Sequence, residues 1–164
     1  LAELVERIAQ IPHVQRLRLH SRLPVVIAER LTDQLSQILT ATRLRSSLVL
    51  HVNHPRELTP MHAERLGKLR QAGVTVLNQT VLLKGVNDSA HLLIELSEKL
   101  FDHHVLPYYL HVLDRVQGAQ HFDVSSSEAY ALYQRMLARL PGYLVPKLVR
   151  EEAGQPHKTP LHAF

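Results

Sequence analysis

The stretch VREEAGQPHKTP, residues 149–160, holds a lysine where neither helix nor strand runs easily, since Gly154, Pro156 and Pro160 interrupt both. A loop lysine can become a nucleophile when it is held beside a ligand and relieved of its proton; taken alone, Lys158 reads as solvated. The residues before it lack the spaced glycines and the following Ser or Thr of a phosphate-cradling loop, and no G-x-S-x-G nucleophile elbow occurs in the chain. His51 and His54, three apart in HVNH, invite a metal, with His20 as a third donor. On a strand such positions point to opposite faces, so no metal ligand is assigned.

Other polar residues recur where apolar runs end: His20, Ser21 and Arg22; His51, Asn53 and His54; Asn78, Gln79 and Thr80; Tyr109, His111 and Asp114. Asn78-Gln79 lies between Val76 and Val81, where a buried amide would need a ligand or water to satisfy it. These groups are expected to share one face around a polar ligand.

The elements that must position them alternate along the chain. Helical spacing over residues 1–11 leads to a strand at 14–21, a helix at 31–43 capped by Thr32, and a strand at 46–55. A helix follows at 58–73, with Thr59 as cap, Pro60 in the first turn and Gly73 as terminator. Then come a strand at 74–85, a helix at 87–104 opened by Asn87 or Asp88, and a strand at 105–113. The last pair is a helix at 125–142, with a capping box from Ser125 to Glu128, and a short strand at 143–149. Four or five strands alternating with helices call for a parallel α/β sheet, either barrel or doubly wound, with ligands at the carboxyl ends of the strands.

With 164 residues and 45% hydrophobic content the chain can bury a core. It has no apolar run long enough to cross a bilayer, and its opening LAELVERIAQIPHV reads as an amphipathic helix rather than a secretion signal, so a cytoplasmic location is expected. The net charge of +4 is spread along the chain and aromatics make up only 5%, which argues against nucleic-acid binding. There is no cysteine, so any cysteine-held metal or iron–sulfur site lies outside this chain.

LRLHSRLPVVIAERLT, HVNHPRELT, AGVTVLNQTVLLKGVNDS, LPYYLHVLDRVQGAQHFDVS and GYLVPKLVREEAGQPHKTPL follow one another in an order that resembles the lysine 2,3-aminomutase family of radical S-adenosylmethionine enzymes. The resemblance covers essentially the whole chain and is strongest to the bacterial branch that makes (R)-β-lysine for modification of translation elongation factor P. It implies the carboxyl-terminal portion of a partial (β/α)6 barrel, with βα units over residues 1–142 and a cofactor-binding segment over 143–164. It also implies S-adenosylmethionine, pyridoxal 5′-phosphate and a [4Fe-4S] cluster whose C-x3-C-x2-C ligands are absent here. Free lysine is the implied substrate, and the missing amino-terminal half of the barrel the implied partner. An open barrel would favour self-association.

By that resemblance Lys158 is the lysine that holds pyridoxal phosphate covalently. Asp114 and Glu151 pair with the far ammonium of substrate lysine. His51 and Gln79 contact S-adenosylmethionine, and His111, with Tyr109, lies near the pyridoxal ring; some relatives have tyrosine in place of His111. Two other readings stay open: a non-catalytic domain binding pyridoxal phosphate or an adenosyl ligand, and a metal-dependent half-barrel enzyme.

Overall fold

The computed structural model describes residues 1–114 and 118–161. Five strands, β1 (Arg16–Ser21), β2 (Arg45–Leu50), β3 (Thr75–Leu82), β4 (Leu106–Val112) and β5 (Lys147–Arg150), pair in parallel and in chain order. A two-residue β6 (Thr159–Pro160) returns antiparallel to β5. A doubly wound sheet reverses its strand order at a switch point. This one never does, which selects the barrel-type alternative.

The helices are α1 (Ala2–Ala9), α2 (Leu23–Val26), α3 (Asp33–Thr40), α4 (Pro60–Gln71), α5 (Ala90–Asp102) and α6 (Ser126–Leu137). Their starts follow the local chemistry. Thr32 Oγ1 accepts from Leu35 N at 3.0 Å, and Ser125 and Glu128 complete a reciprocal capping box. Thr59 forms the same kind of box with His62, whose other ring nitrogen reaches Pro24 O at 3.1 Å. Gly73 closes α4 at φ +92°, a conformation open to glycine at little cost. At α5 the expectation is corrected: the cap is Ser89, with Oγ accepting from Leu92 N at 3.2 Å, because Asn87 is engaged elsewhere. The last strand is also shorter than expected, since Gly142–Leu144 forms a single 3-10 turn and Pro146 has no N–H to pair.

One side of the sheet is the core. Leu48, Leu50 and Val76 pack against Leu66 and Leu69 of α4 and Leu96 and Leu100 of α5. Leu82, Leu110 and Leu148 pack against Leu93, Ala129 and Met136. Alternation then sends Arg18, His20, Gln79, Tyr109 and His111 to the other side, which no helix among the described residues covers. This open side corresponds to the lumen of a barrel. No helix among the described residues is long and apolar enough to cross a membrane.

Candidate functional site

The polar residues at the strand ends divide into two groups with different work. One group builds the frame. Asn78 is 1% exposed, and its side chain accepts from Val52 N at 2.8 Å while donating to Val52 O at 3.0 Å and Thr80 Oγ1 at 2.9 Å. The expectation that this amide needs a ligand is therefore corrected: the backbone leaving β2 satisfies it, and Asn78 with Thr80 faces the helices. Asn53 Oδ1 accepts from Val81 N at 2.9 Å, and Asn87 Nδ2 donates to Asn53 O and Val81 O. Glu57 Oε2 receives the Asn53 and His54 amides at 2.5 and 2.9 Å, while its Oε1 pairs with Arg22 at 2.5 Å. Arg22 also donates to His51 O at 2.6 Å. His54 Nδ1 caps the turn at Pro55 by accepting from Arg56 N, which turns it to local structure. Ser21 Oγ accepts from Leu23 N at 3.1 Å. Together these bonds lock the exits of β1, β2 and β3.

The second group lies on the open face. The His20 and His51 rings meet edge to face at 5.9 Å, as do Tyr109 and His111 at 5.5 Å. Lys158 Nζ lies 5.4 Å from the centre of the Tyr109 ring, within reach of a cation–π attraction. Its partner is Glu151, with which it forms an ion pair. Among the described residues, His51 Nε2 and His111 Nε2 are buried and have no hydrogen-bond partner. Gln79 shares this face with Val81 and Tyr109 by strand register.

Charge and burial set the protonation of this group. Burial above all, then the Lys158 and His51 charges, push His111 down to about 4, with Glu151 opposing. His20 is lowered by burial first and then by Arg18, His51 and Lys158; His51 by burial and Arg22. The hydrogen bond and charge of Lys158 hold Glu151 below the usual carboxylate range. Three imidazoles whose basicity is lowered thus share the region of the Lys158–Glu151 ion pair.

Beside this face a cavity of about 580 Å³ is lined by four carboxylates, Asp114, Asp123, Glu151 and Glu152, with Arg150 their cationic neighbour. A smaller one of about 220 Å³ lies between Glu151, Glu152 and Lys158. A further cavity of about 580 Å³ at the amino ends of β3 and β4, around Arg70, Asp102 and His104, contains none of the site residues expected from the sequence.

The fold brings His51, Gln79, His111, Glu151 and Lys158 to one region and puts Asp114 in the cavity that Glu151 also lines. Sequence reasoning missed Arg18, two positions before His20 and so on its face, and Asp123 and Glu152 in the acidic cavity. The period of two could have found Arg18. Nothing local marks Asp123.

Of the groups the resemblance implies, an iron–sulfur cluster does not fit: the chain has no cysteine to bind one. A cofactor with an electrophilic carbonyl and hydrogen-bonding ring atoms does fit, given a lysine amine near Tyr109 and two unpartnered imidazole nitrogens on the same face.

No protein-family model matches the chain. It is 54% identical over 159 residues to the L-lysine 2,3-aminomutase of Haemophilus influenzae, covering 97% of this chain and 47% of that protein. With the Escherichia coli L-lysine 2,3-aminomutase the identity is 51% over 158 residues, 96% of this chain and 46% of the relative. With that of Clostridium subterminale it is 36% over 161 residues, 98% and 38% respectively. The chain thus spans about half the length of the first two relatives, and less of the third. In fold it resembles the crystal structure of a radical SAM methyltransferase from Sphaerobacter thermophilus, with a TM-score of 0.56 at 19% identity, over 85% of this chain and 42% of that one. An in-order parallel sheet with one open face agrees with the fold of that structure, and along nearly all of its length the chain is closely similar in sequence to the L-lysine 2,3-aminomutases of the first two organisms, about half of whose length it spans.

Proposed function

We propose that the chain forms the part of a lysine 2,3-aminomutase that faces pyridoxal phosphate, S-adenosylmethionine and free L-lysine. The whole enzyme would be an isomerase that moves the α-amino group to the neighbouring carbon, giving (R)-β-lysine for modification of elongation factor P in the cytoplasm. In this reading residues 1–142 are barrel units and 143–164 the cofactor segment, whose last three residues lie outside the described ones. The observation that carries it is Lys158, an amine over an aromatic ring in a region of uncharged histidines.

When bound, these groups supply hydrogen-atom abstraction and an electrophilic carbon that carries the migrating nitrogen. The chain's own residues do the rest. Lys158 presents its amine from a loop anchored on both sides by the sheet. His111 and His51, uncharged near neutral pH, each offer an unpaired ring nitrogen to a ligand as donor or acceptor. Gln79 adds an amide on the same face. Asp114 and Glu151, in the carboxylate-lined cavity, recognise the far ammonium through charge-assisted bonds, which selects lysine over neutral amino acids. The cluster ligands come from elsewhere in the enzyme, along with the other half of the barrel.

The test is chemical. Pyridoxal phosphate added to the complete enzyme and fixed with borohydride should label the peptide holding Lys158, with Lys84 and Lys147 as internal controls, and Lys158→Ala should abolish the label. A label on Lys147 or Lys84 in mass spectra overturns the assignment.

A further inference from the structure

Glu151 stands in the wall between two cavities. On one side it lines the space of about 220 Å³ with Lys158; on the other it joins Asp114, Asp123 and Glu152 around the space of about 580 Å³. It is already engaged on the first side, because its Oε1 is paired with the Lys158 ammonium. Its neighbour Glu152 is held more loosely, accepting from Thr159 Oγ1 at 3.3 Å. A carboxylate can accept several hydrogen bonds, but one unit of charge fully compensates a single ammonium.

We propose that Glu151 is a shared carboxylate that couples the two cavities: while Lys158 is a free ammonium it occupies Glu151 and weakens ammonium binding beside Asp114, and loss of that cation releases Glu151 to the second cavity. The inference rests on the reading of Lys158 and of the acidic cavity given above. It adds an order of events that neither position carries alone. Attachment of the lysine nitrogen to a cofactor and binding of the substrate's far ammonium favour each other, and by linkage the factor is the same in both directions. Asp114 binds the ammonium throughout, whereas Glu151 contributes only once the lysine has let go. As a positioning residue Glu151 also keeps the unattached amine over Tyr109 and close to where it must react.

The size of the coupling follows from exposure. The Lys158 and Glu151 side chains are 27% and 55% exposed, so solvent screens the pair and the coupling is about threefold, in the range of exposed ion pairs. The probe is 6-aminohexanoate, which offers the far ammonium but has no α-amine and so cannot displace Lys158 from a cofactor. Calorimetric titration of the complete enzyme without pyridoxal phosphate should show Lys158→Met binding it about threefold tighter than wild type. Lys158→Gln should do the same, and saturating pyridoxal phosphate should tighten wild type by a similar factor. In a Glu151→Gln background, removing the lysine charge should change nothing. Unchanged or weaker binding in both Lys158 variants overturns the proposal, as does tightening that persists in Glu151→Gln, which would be long-range charge rather than a shared carboxylate. If the variants behave as expected but borohydride labels no Lys158, the shared carboxylate stands and the cofactor assignment falls.

Discussion

His111 makes the open face a source of acid sensitivity. Its side chain is 7% exposed, its Nε2 has no partner, and the Lys158 ammonium and the His51 ring lie close enough to oppose a further positive charge. Glu151 works the other way and does not prevail. Unfolded, the imidazole takes a proton near 6.5; folded, it does so only at about 4. Between those values the unfolded chain binds more protons, so stability falls as pH falls through that window and the loss is complete below about 4. At about 1.4 kcal/mol per tenfold in the proton equilibrium the total is about 3 kcal/mol, of which about 2 are gone by pH 5. His20 and His51 are lowered in the same sense and add to the slope, so the readout is a difference. Urea unfolding at pH 7 and pH 5, on wild type and His111→Phe, should show the variant losing about 2 kcal/mol less over that interval, with similar m-values. Equal losses in the two proteins would mean that His111 titrates normally when folded, and the picture of a neutral buried imidazole would be wrong.

Other outcomes follow from the same geometry. In the complete enzyme, Asp114→Asn should lower kcat/KM for lysine by about tenfold, the scale of one hydrogen bond to a charged group, while the pyridoxal phosphate dissociation constant stays near wild type; equal kinetics for lysine would remove Asp114 from the site. Asn78→Leu keeps the branched skeleton but leaves the buried Val52 N–H without its acceptor, and should cost at least about 1–3 kcal/mol in urea unfolding, against an unchanged midpoint if the frame does not depend on it. Anaerobic reconstitution of this chain with iron and sulfide should leave it without iron–sulfur absorption, because it has no thiolate to offer; a brown, cluster-bearing product would contradict this.

Local rules were enough for much of the scaffold. Thr32, Thr59 with Pro60, Gly73 and Ser125 with Glu128 act within one turn of their own position, and each does what its type and spacing imply. The strand alternation also carries Gln79 and His111 to the open face, and the loop after β5 brings Lys158 to it. Partners distant in sequence escaped the reading. Asn78 is satisfied by Val52, 26 positions away, and Asn87 leaves the cap position to bridge Asn53 and Val81. Neither bond has a periodic trace, so a residue that looks like a ligand contact can be a rivet between strand exits. The division of the polar residues between frame and open face was illegible for the same reason: register and a bulge between Asn78 and Gln79 decide it.

The position of Lys158 has its own physical logic. A lysine on a loop whose two ends are held by the sheet keeps its amine in one neighbourhood, and its flexible four-carbon stem supplies the reach. Here the loop 151–158 leaves β5 and comes back through β6, held by the Val149–Pro160 and Arg150–Thr159 register and by Leu161 N donating to Leu148 O at 3.1 Å. Leu161 inserts into the core cluster that contains Leu148 and so pins the far end of the loop. Gly154, at φ +84°, lets the chain turn between these anchors. Both ends of the loop are therefore fixed to the sheet while its middle is exposed, which keeps the amine near Tyr109 and Glu151. The two-residue antiparallel strand is thus the element that holds the far end of the loop carrying Lys158.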